Sequence, residues 1–361
     1  MLERCSSRRH RTGYLPRSTG FLLGFVLTVG CGGGRSAQLS FKETGTLTAG
    51  VMFRLETTGA DRDFTFDADG NLYFFDYGHY RIRKLDPGGR LLLEFGGNVE
   101  EDGPFSHLME IEVFGDRLVA LDSMARFIFD LEGVLLDRED FPSEVICERP
   151  VVSGTGEFIG EWLGDPEAKN ILTLRRADGT EEARLESYDL SDFIPAIRPG
   201  ADFFLSMNHM RSYRYGYLPD GSPVWASSDA FRIFTQQGMK VKDLISGDFT
   251  PVPVPADQIE QMRTRSASLP PPLYLFVPDT YRLIHQLFVG TDGDIWVYLQ
   301  SLERTGLLRF TSRGRAKAAF SLEADFDPGD EDVVIRESGG KLWFLVPGRS
   351  GVTFYTATIP D

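Results

Sequence analysis

Cysteine is almost absent from this chain: Cys5, Cys31 and Cys147 are all there is in 361 residues. Three thiols cannot build a disulfide framework, and no Cys cluster with zinc-ligand spacing exists. Cys147, in the apolar stretch Val145-Ile146-Cys147, reads as a buried and inert thiol. Histidine is nearly as scarce. Beyond the first thirty residues it occurs at His79, His107, His209 and His285, and none has the i, i+4 spacing or Glu partner of a zinc-binding helix. Basic charge is in short supply too: 38 Lys and Arg against 53 Asp and Glu leave a formal net charge of −15. That excludes the basic footprint of a nucleic-acid surface. There is no acidic run long enough to be a tail. A Walker lysine, a Rossmann glycine setting and a Gly-x-Ser-x-Gly elbow are all missing, so phosphate cradling and serine-hydrolase chemistry have no support. Long hydrophobic runs are missing as well. The apolar heart at 21–29 is shorter than the roughly 20 residues a spanning helix needs.

What the chain does contain is a repeat. One copy reads Gly70-Asn71-Leu72-Tyr73-Phe74-Phe75-Asp76 followed by Arg81-Ile82-Arg83-Lys84-Leu85-Asp86, ending at Gly89. A second reads Gly115-Asp116-Arg117-Leu118-Val119-Ala120-Leu121-Asp122 followed by Arg126-Phe127-Ile128-Phe129-Asp130, ending at Gly133. The end glycines Gly89, Gly133 and Gly179 are spaced by 44 and then 46 residues. Strand pairs at a period in the forties predict an all-β fold, a six-bladed β-propeller of four-stranded blades. Later copies begin near Gly221, Gly293 and Gly340, with the third unit, near 157–179, the faintest. Extra residues fall near 190–210 and at about 251–286. The second insert holds Asp257 and Glu260 at capping-box spacing ahead of Pro270-Pro271-Pro272, which predicts a short helix before blade five. A ring must close, and the strand near Val51–Leu55 is expected to pair with Val352–Ala357 and complete the last blade.

The organisation expected is a signal segment at 1–30, a flexible Gly/Ser/Thr-rich tether at 31–48 and one propeller domain at 49–361. The basic start at Arg4, Arg8, Arg9, Arg11 and Arg17 precedes the short apolar run, as in an export signal. The sequence Leu27-Thr28-Val29-Gly30-Cys31 resembles the lipobox of bacterial lipoproteins, although Thr28 stands where that family has Leu. The resemblance implies lipidation of Cys31 and attachment to a bacterial cell envelope. Gly32 after the cysteine favours the outer membrane. An ordinary cleaved signal, an uncleaved anchor and a chance cysteine stay open.

The phrase at 69–89 resembles an NHL-type repeat, and the chain from about residue 50 onward is similar to bacterial six-bladed β-propeller lipoproteins of that kind. Related propeller enzymes, the sugar-lactone hydrolases and peptide-amidating lyases, hold a metal at the central channel. The resemblance thus implies two readings. The first is an anchored, non-catalytic binding module with no cofactor, for a protein or carbohydrate partner. The alternative is a metal-dependent hydrolase or lyase working at the channel mouth, which requires carboxylates, Asn or His to converge at the axis. A purely structural subunit is a third. No catalytic, cofactor or metal residue is assigned.

The ligand-face candidates are His79 in the loop Tyr77-Gly78-His79-Tyr80, His209, and Arg211 and Arg214 in the run Arg211-Ser212-Tyr213-Arg214-Tyr215-Gly216-Tyr217. Cations interleaved with aromatics can bind by stacking and charge; the same run is also a strand with packed Tyr and solvated Arg. Asp76, Asp122 and Asp229 recur by position in their blades and are expected to cap turns rather than bind metal.

Overall fold

Short apolar strands separated by glycine turns can bury their faces only against neighbouring sheets. In the computed structural model they form six four-stranded antiparallel units arranged as a ring. The structure describes residues 27–31, 35–39, 43–56, 63–98, 103–142, 148–165, 169–189, 204–206, 212–238, 240–268, 273–275, 277–328, 332–348 and 351–360. Blades 1 to 5 occupy 64–96, 108–140, 148–189, 213–246 and 284–323 in chain order. Blade 6 combines Val334–Ser338, Lys341–Pro347 and Gly351–Thr358 with Gly50–Glu56 from the other end of the sequence. The faint third unit is a full sheet, and its strands are among the longest.

There is no single core. Six apolar clusters lie one to each blade interface, including Phe64, Phe74, Trp343 and Phe354 between blades 6 and 1. Wedges of this kind make each blade depend on both neighbours.

The glycine period has a steric cause. Gly89, Gly133 and Gly179 sit at the tips of the hairpins joining third to fourth strands, with φ of +86°, +80° and +80°. A β-carbon there would fall 2.6, 2.7 and 2.8 Å from the rings of Phe53, Phe95 and Phe141 respectively. Each tip is thus seated under an aromatic ring supplied by the preceding blade. Both the positive φ and the ring exclude side chains. Gly133→Ala should therefore destabilise the ring by about 2–4 kcal/mol, strain and overpacking together. Gly221→Ala, at φ +81° with open space around it, should cost only the strain, about 1 kcal/mol. Urea unfolding of the two variants measures the difference.

The ring closes between the expected strands: Val352 pairs with Leu55, Thr353 with Arg54 and Phe354 with Phe53. Phe53 and Phe64 both pack on Phe354, at centroid distances of 4.9 and 5.4 Å. The expected flexible tether is corrected in its last part. Glu43–Thr48 is a strand, paired parallel to Ala316–Glu323 as a fifth strand of blade 5. Leu47, 1% exposed, anchors it in the core between blades 5 and 6. Earlier in the segment the backbone of Leu27–Cys31 pairs with that of Arg35–Leu39. All six blades and all six interfaces are built within residues 43–360.

The expected helix spans Ala256–Ala267, between blades 4 and 5. Its start differs in detail: Pro255 is the N-cap and no side chain caps it, so Asp257 lies inside the first turn and the capping box does not form. There its charge favours the positive end of the helix dipole. Residues 269–272, including the three prolines, lie outside the described residues. The two long insertions meet: Phe204–Ser206 pairs in parallel with Leu273–Leu275.

Two aspartate series divide the capping work. Asx-type turns belong to Asp67, Asp86, Asp130, Asp178, Asp220 and Asp292, whose carboxylates accept backbone N–H groups two residues on. The other series acts at the opposite ends of the strands. Asp122 accepts from Ser106 N, His107 N and Met124 N at 2.9, 2.6 and 3.0 Å. Buried Asp76 accepts from Arg83 at 2.9 Å and lies 2.9 Å from His79 Nδ1. Asp229 accepts from Ser227 Oγ.

Candidate functional site: the central channel

The first strand of each blade stands nearest the axis, and from blade 1 to blade 6 successive first strands lie against one another. They enclose a cavity of about 1850 Å³. Successive side chains of a strand point to opposite faces, so residues two apart share a surface. Asp63 and Thr65 of blade 1, and Glu110 and Glu112 of blade 2, obey this spacing. They meet Arg336 of blade 6.

Arg336 is the point of convergence. Its Nη2 donates to Asp63 Oδ1 at 2.7 Å and Glu110 Oε1 at 3.2 Å, and its Nη1 donates to Glu112 Oε2 at 2.9 Å. Thr65 Oγ1 donates to Glu112 Oε1 at 2.6 Å, and Ile111 N to Asp63 Oδ2 at 3.4 Å. Asp63 and Glu110 are buried, at 5% and 6% exposure. Burial, and then the neighbouring Asp63 charge, push the Glu110 carboxyl well above the usual carboxylate range, with Arg336 acting the other way. Burial raises Glu112 too, against the pull of Arg336. Three carboxylates thus share one guanidinium, and protonation of Glu110 relieves the surplus negative charge.

Other polar groups on and behind the wall are engaged as well. Arg214 is buried in the first strand of blade 4; its Nε donates to the His285 carbonyl at 2.5 Å and its Nη1 to Ser212 Oγ and the Tyr213 carbonyl at 2.8 and 2.9 Å. Buried Glu161 accepts from Asn170 Nδ2 and, at 3.2 Å, from Tyr213 N. Burial raises its pKa, while the Asn170 bond and the Arg214 charge oppose the shift.

One end of the channel has an aromatic rim. Tyr77 and Tyr80 flank the turn between the second and third strands of blade 1, their rings 5.4 Å apart, and exposed His107 stands 6.2 Å from Tyr77. All three line the cavity. Tyr80 has φ +51° and is the only non-glycine residue with positive φ among the described residues. Its carbonyl accepts Gly97 N at 2.8 Å, which holds the strained turn.

The structure separates the expected ligand-face residues. His79 is exposed at the tip of the Tyr77–Tyr80 turn, but its Nδ1 is engaged with Asp76, and the cavity is lined by its neighbours instead. Arg214 does line the channel, yet it is buried and bonded internally; the run around it is a strand, with Tyr213 at 1% exposure. His209 and Arg211 lie outside the described residues, as do Cys147 and the side chain of Cys31. Sequence reasoning did not single out Asp63, Glu110, Glu112 or Arg336. The available signal was Leu108-Met109-Glu110-Ile111-Glu112-Val113-Phe114, in which two acids share one face of an otherwise apolar strand.

These four residues interrupt the repeat rather than following it. Among the described residues no group of three His, Cys, Asp or Glu side chains is arranged to hold a metal ion. The described carboxylates that do converge hold a guanidinium.

The protein is thus a six-bladed β-propeller with a polar channel and an aromatic rim. Comparison with known proteins agrees at the level of fold. A member of the duf4221 family from Bacteroides vulgatus superposes with a TM-score of 0.50 at 9% identity, over 88% of this chain and 97% of that one. The luciferin-regenerating enzyme gives 0.46 at 13%, over 86% and 95%. A gluconolactonase from Xanthomonas campestris gives 0.44 at 14%, over 86% and 89%. At these identities the likeness is one of architecture alone. No protein-family model and no curated protein matches the sequence.

Proposed function

We propose that the protein is an exported propeller, tethered to a bacterial cell envelope through lipid on Cys31 with the outer membrane as its destination, that binds a carbohydrate or a protein segment at its channel rim without transforming it. One observation carries this reading: the wall carboxylates converge on Arg336, whose fixed charge takes the part a bound cation would play. A metal entering there would have to displace a half-buried guanidinium from three partners. What the rim presents to a ligand is aromatic: Tyr77, Tyr80 and His107, with His79 beside them. Aromatic faces bind sugars and side chains by stacking, and a turn held in a strained conformation is pre-organised for it.

One observation favours the alternative of hydrolase or lyase chemistry. A channel carboxyl held well above its usual range, as Glu110 is, keeps its proton to higher pH than an ordinary carboxyl, which suits it to donate one. Screening the 43–361 ring against an oligosaccharide library separates the readings. Binding unaffected by EDTA, with ligand recovered intact, and weakened about tenfold by Tyr80→Ala, is the expected result. EDTA-sensitive turnover lost in Glu110→Gln would replace it with the enzyme reading.

A further inference from the structure

The outer strands of the blades differ in a way the ring does not require. In blades 1, 2, 3 and 5 the fourth strand carries a β-bulge at the same place, two residues after its hairpin turn. The extra residue is Leu92, Leu136, Glu182 and Lys317 in turn. Blade 6 bulges at Met52. A large apolar residue precedes the bulge in blades 6, 1 and 2: Val51, Leu91 and Leu135, against Ala316 in blade 5. In blade 3 that place is held by Glu181. So three consecutive blades display pairs of large apolar residues on the circumference, where blades 3 and 5 place the charges of Glu182 and Lys317; the fourth strand of blade 4 bulges elsewhere, at Leu244. With Val134 these residues account for seven of the ten large apolar side chains exposed among the described residues, at 43% to 57%. The pairs lie along one edge. Phe53, beside Met52, covers Gly89 two residues before Leu91, and Phe95 covers Gly133 beside Val134.

We infer that this belt on blades 6, 1 and 2 is a contact surface for a lipid bilayer, its side chains entering the boundary between headgroups and acyl chains. Three features select that occupant. The belt is on the order of a few hundred Å², the size that marks interaction sites, and falls short of the roughly 800 Å² per partner that a stable second copy needs. Bulges kink the strand edge and spoil it as a template for strand addition, while leaving side chains on display. The belt is also continuous with the chain's own entry. Val51 and Met52 lie twenty and twenty-one residues after Cys31, on the strand that leads the chain into blade 6. The third feature rests on the proposed lipidation of Cys31; the other two do not, since the belt is built wholly within the ring. With a net charge of −15 the contact is apolar rather than electrostatic, so salt should leave it unchanged.

The test is flotation of the 43–361 ring with phosphatidylcholine vesicles in low salt and in 0.5 M salt, a concentration on the order of that which collapses the Debye length. The expected result is salt-indifferent binding, weakened at least tenfold in Leu92→Glu/Leu136→Glu, whose folding is checked by its unfolding midpoint. Absence of flotation by the wild-type ring overturns the inference, as does equal flotation of the variant. So does a wild-type dimer in light scattering that the variant converts to monomer, which would assign the belt to a second copy. The fragment lacks Cys31, so the outcome is independent of lipidation. That is read separately, from the mass of the full chain extracted from membranes.

Discussion

Arg336→Met should cost the ring about 3–5 kcal/mol at neutral pH, the penalty for leaving buried charges without their partner, and the loss should shrink as the pH falls. Asp63, Glu110 and Glu112 all depend on this guanidinium; without it only protonation relieves them. The wild-type cluster already has a pH slope of its own. Because the Glu110 pKa is raised in the folded protein, the folded state binds its proton more tightly than the unfolded chain does. The stability this gives is fully present below the ordinary Glu range and is lost as the pH rises through the raised value. Glu110→Gln, which can still donate to Asp63, should flatten that slope and leave the protein more stable than wild type at the alkaline end. Urea unfolding of wild type, Arg336→Met and Glu110→Gln from pH 5 to 8 reads all three. An Arg336→Met penalty that does not change with pH would show that the guanidinium acts by packing alone.

The other large effect is expected at the seam. Phe354 is fully buried between Phe53, Phe64 and Phe74, residues supplied by the closing strand and by blade 1. Phe354→Ala should destabilise by about 3–5 kcal/mol through cavity formation and lost transfer energy. Phe53→Ala should cost less on its own, since that ring is half-buried. In the double variant the two losses should fall short of additive, because they share one contact. Full additivity in the cycle would mean that the closing strand is held by backbone pairing and not by this aromatic group.

These two regions also show what could be read in advance. The seam was legible because second strands are buried on both faces, as in Leu72–Asp76, Pro223–Ser227 and Ile295–Gln300, and must repeat. The tip glycines must repeat as well, since each fits under a ring from the blade before. The closing partner then followed from the need of a ring to leave no strand edge open. The channel was not legible. First strands pack laterally on one another and obey no common phrase, so Asp63 and Arg336, 273 residues apart, gave no sign of meeting. His79 drew notice because histidine is rare, but Asp76 holds its ring. The strand at Glu43–Thr48 was hidden in a stretch of small polar residues, where one buried side chain, Leu47, decides the outcome.

Closure by Gly50–Glu56 has a consequence in time. The outer strand of blade 6 is synthesised early, and its partner, Gly351–Thr358, roughly 300 residues later, a loop whose ends are slow to find one another. Until then Phe53 and Leu55 have no neighbour strand to pack against, and the edge of Gly50–Glu56 stays unsatisfied. Every blade can form its hairpins, yet none of the six interfaces is locked into a ring. Folding is therefore gated by arrival of the last strand. A chain interrupted before it would carry five complete sheets, an unfinished sixth and an open, adhesive edge, and would be marked for proteolysis by what it has not yet buried.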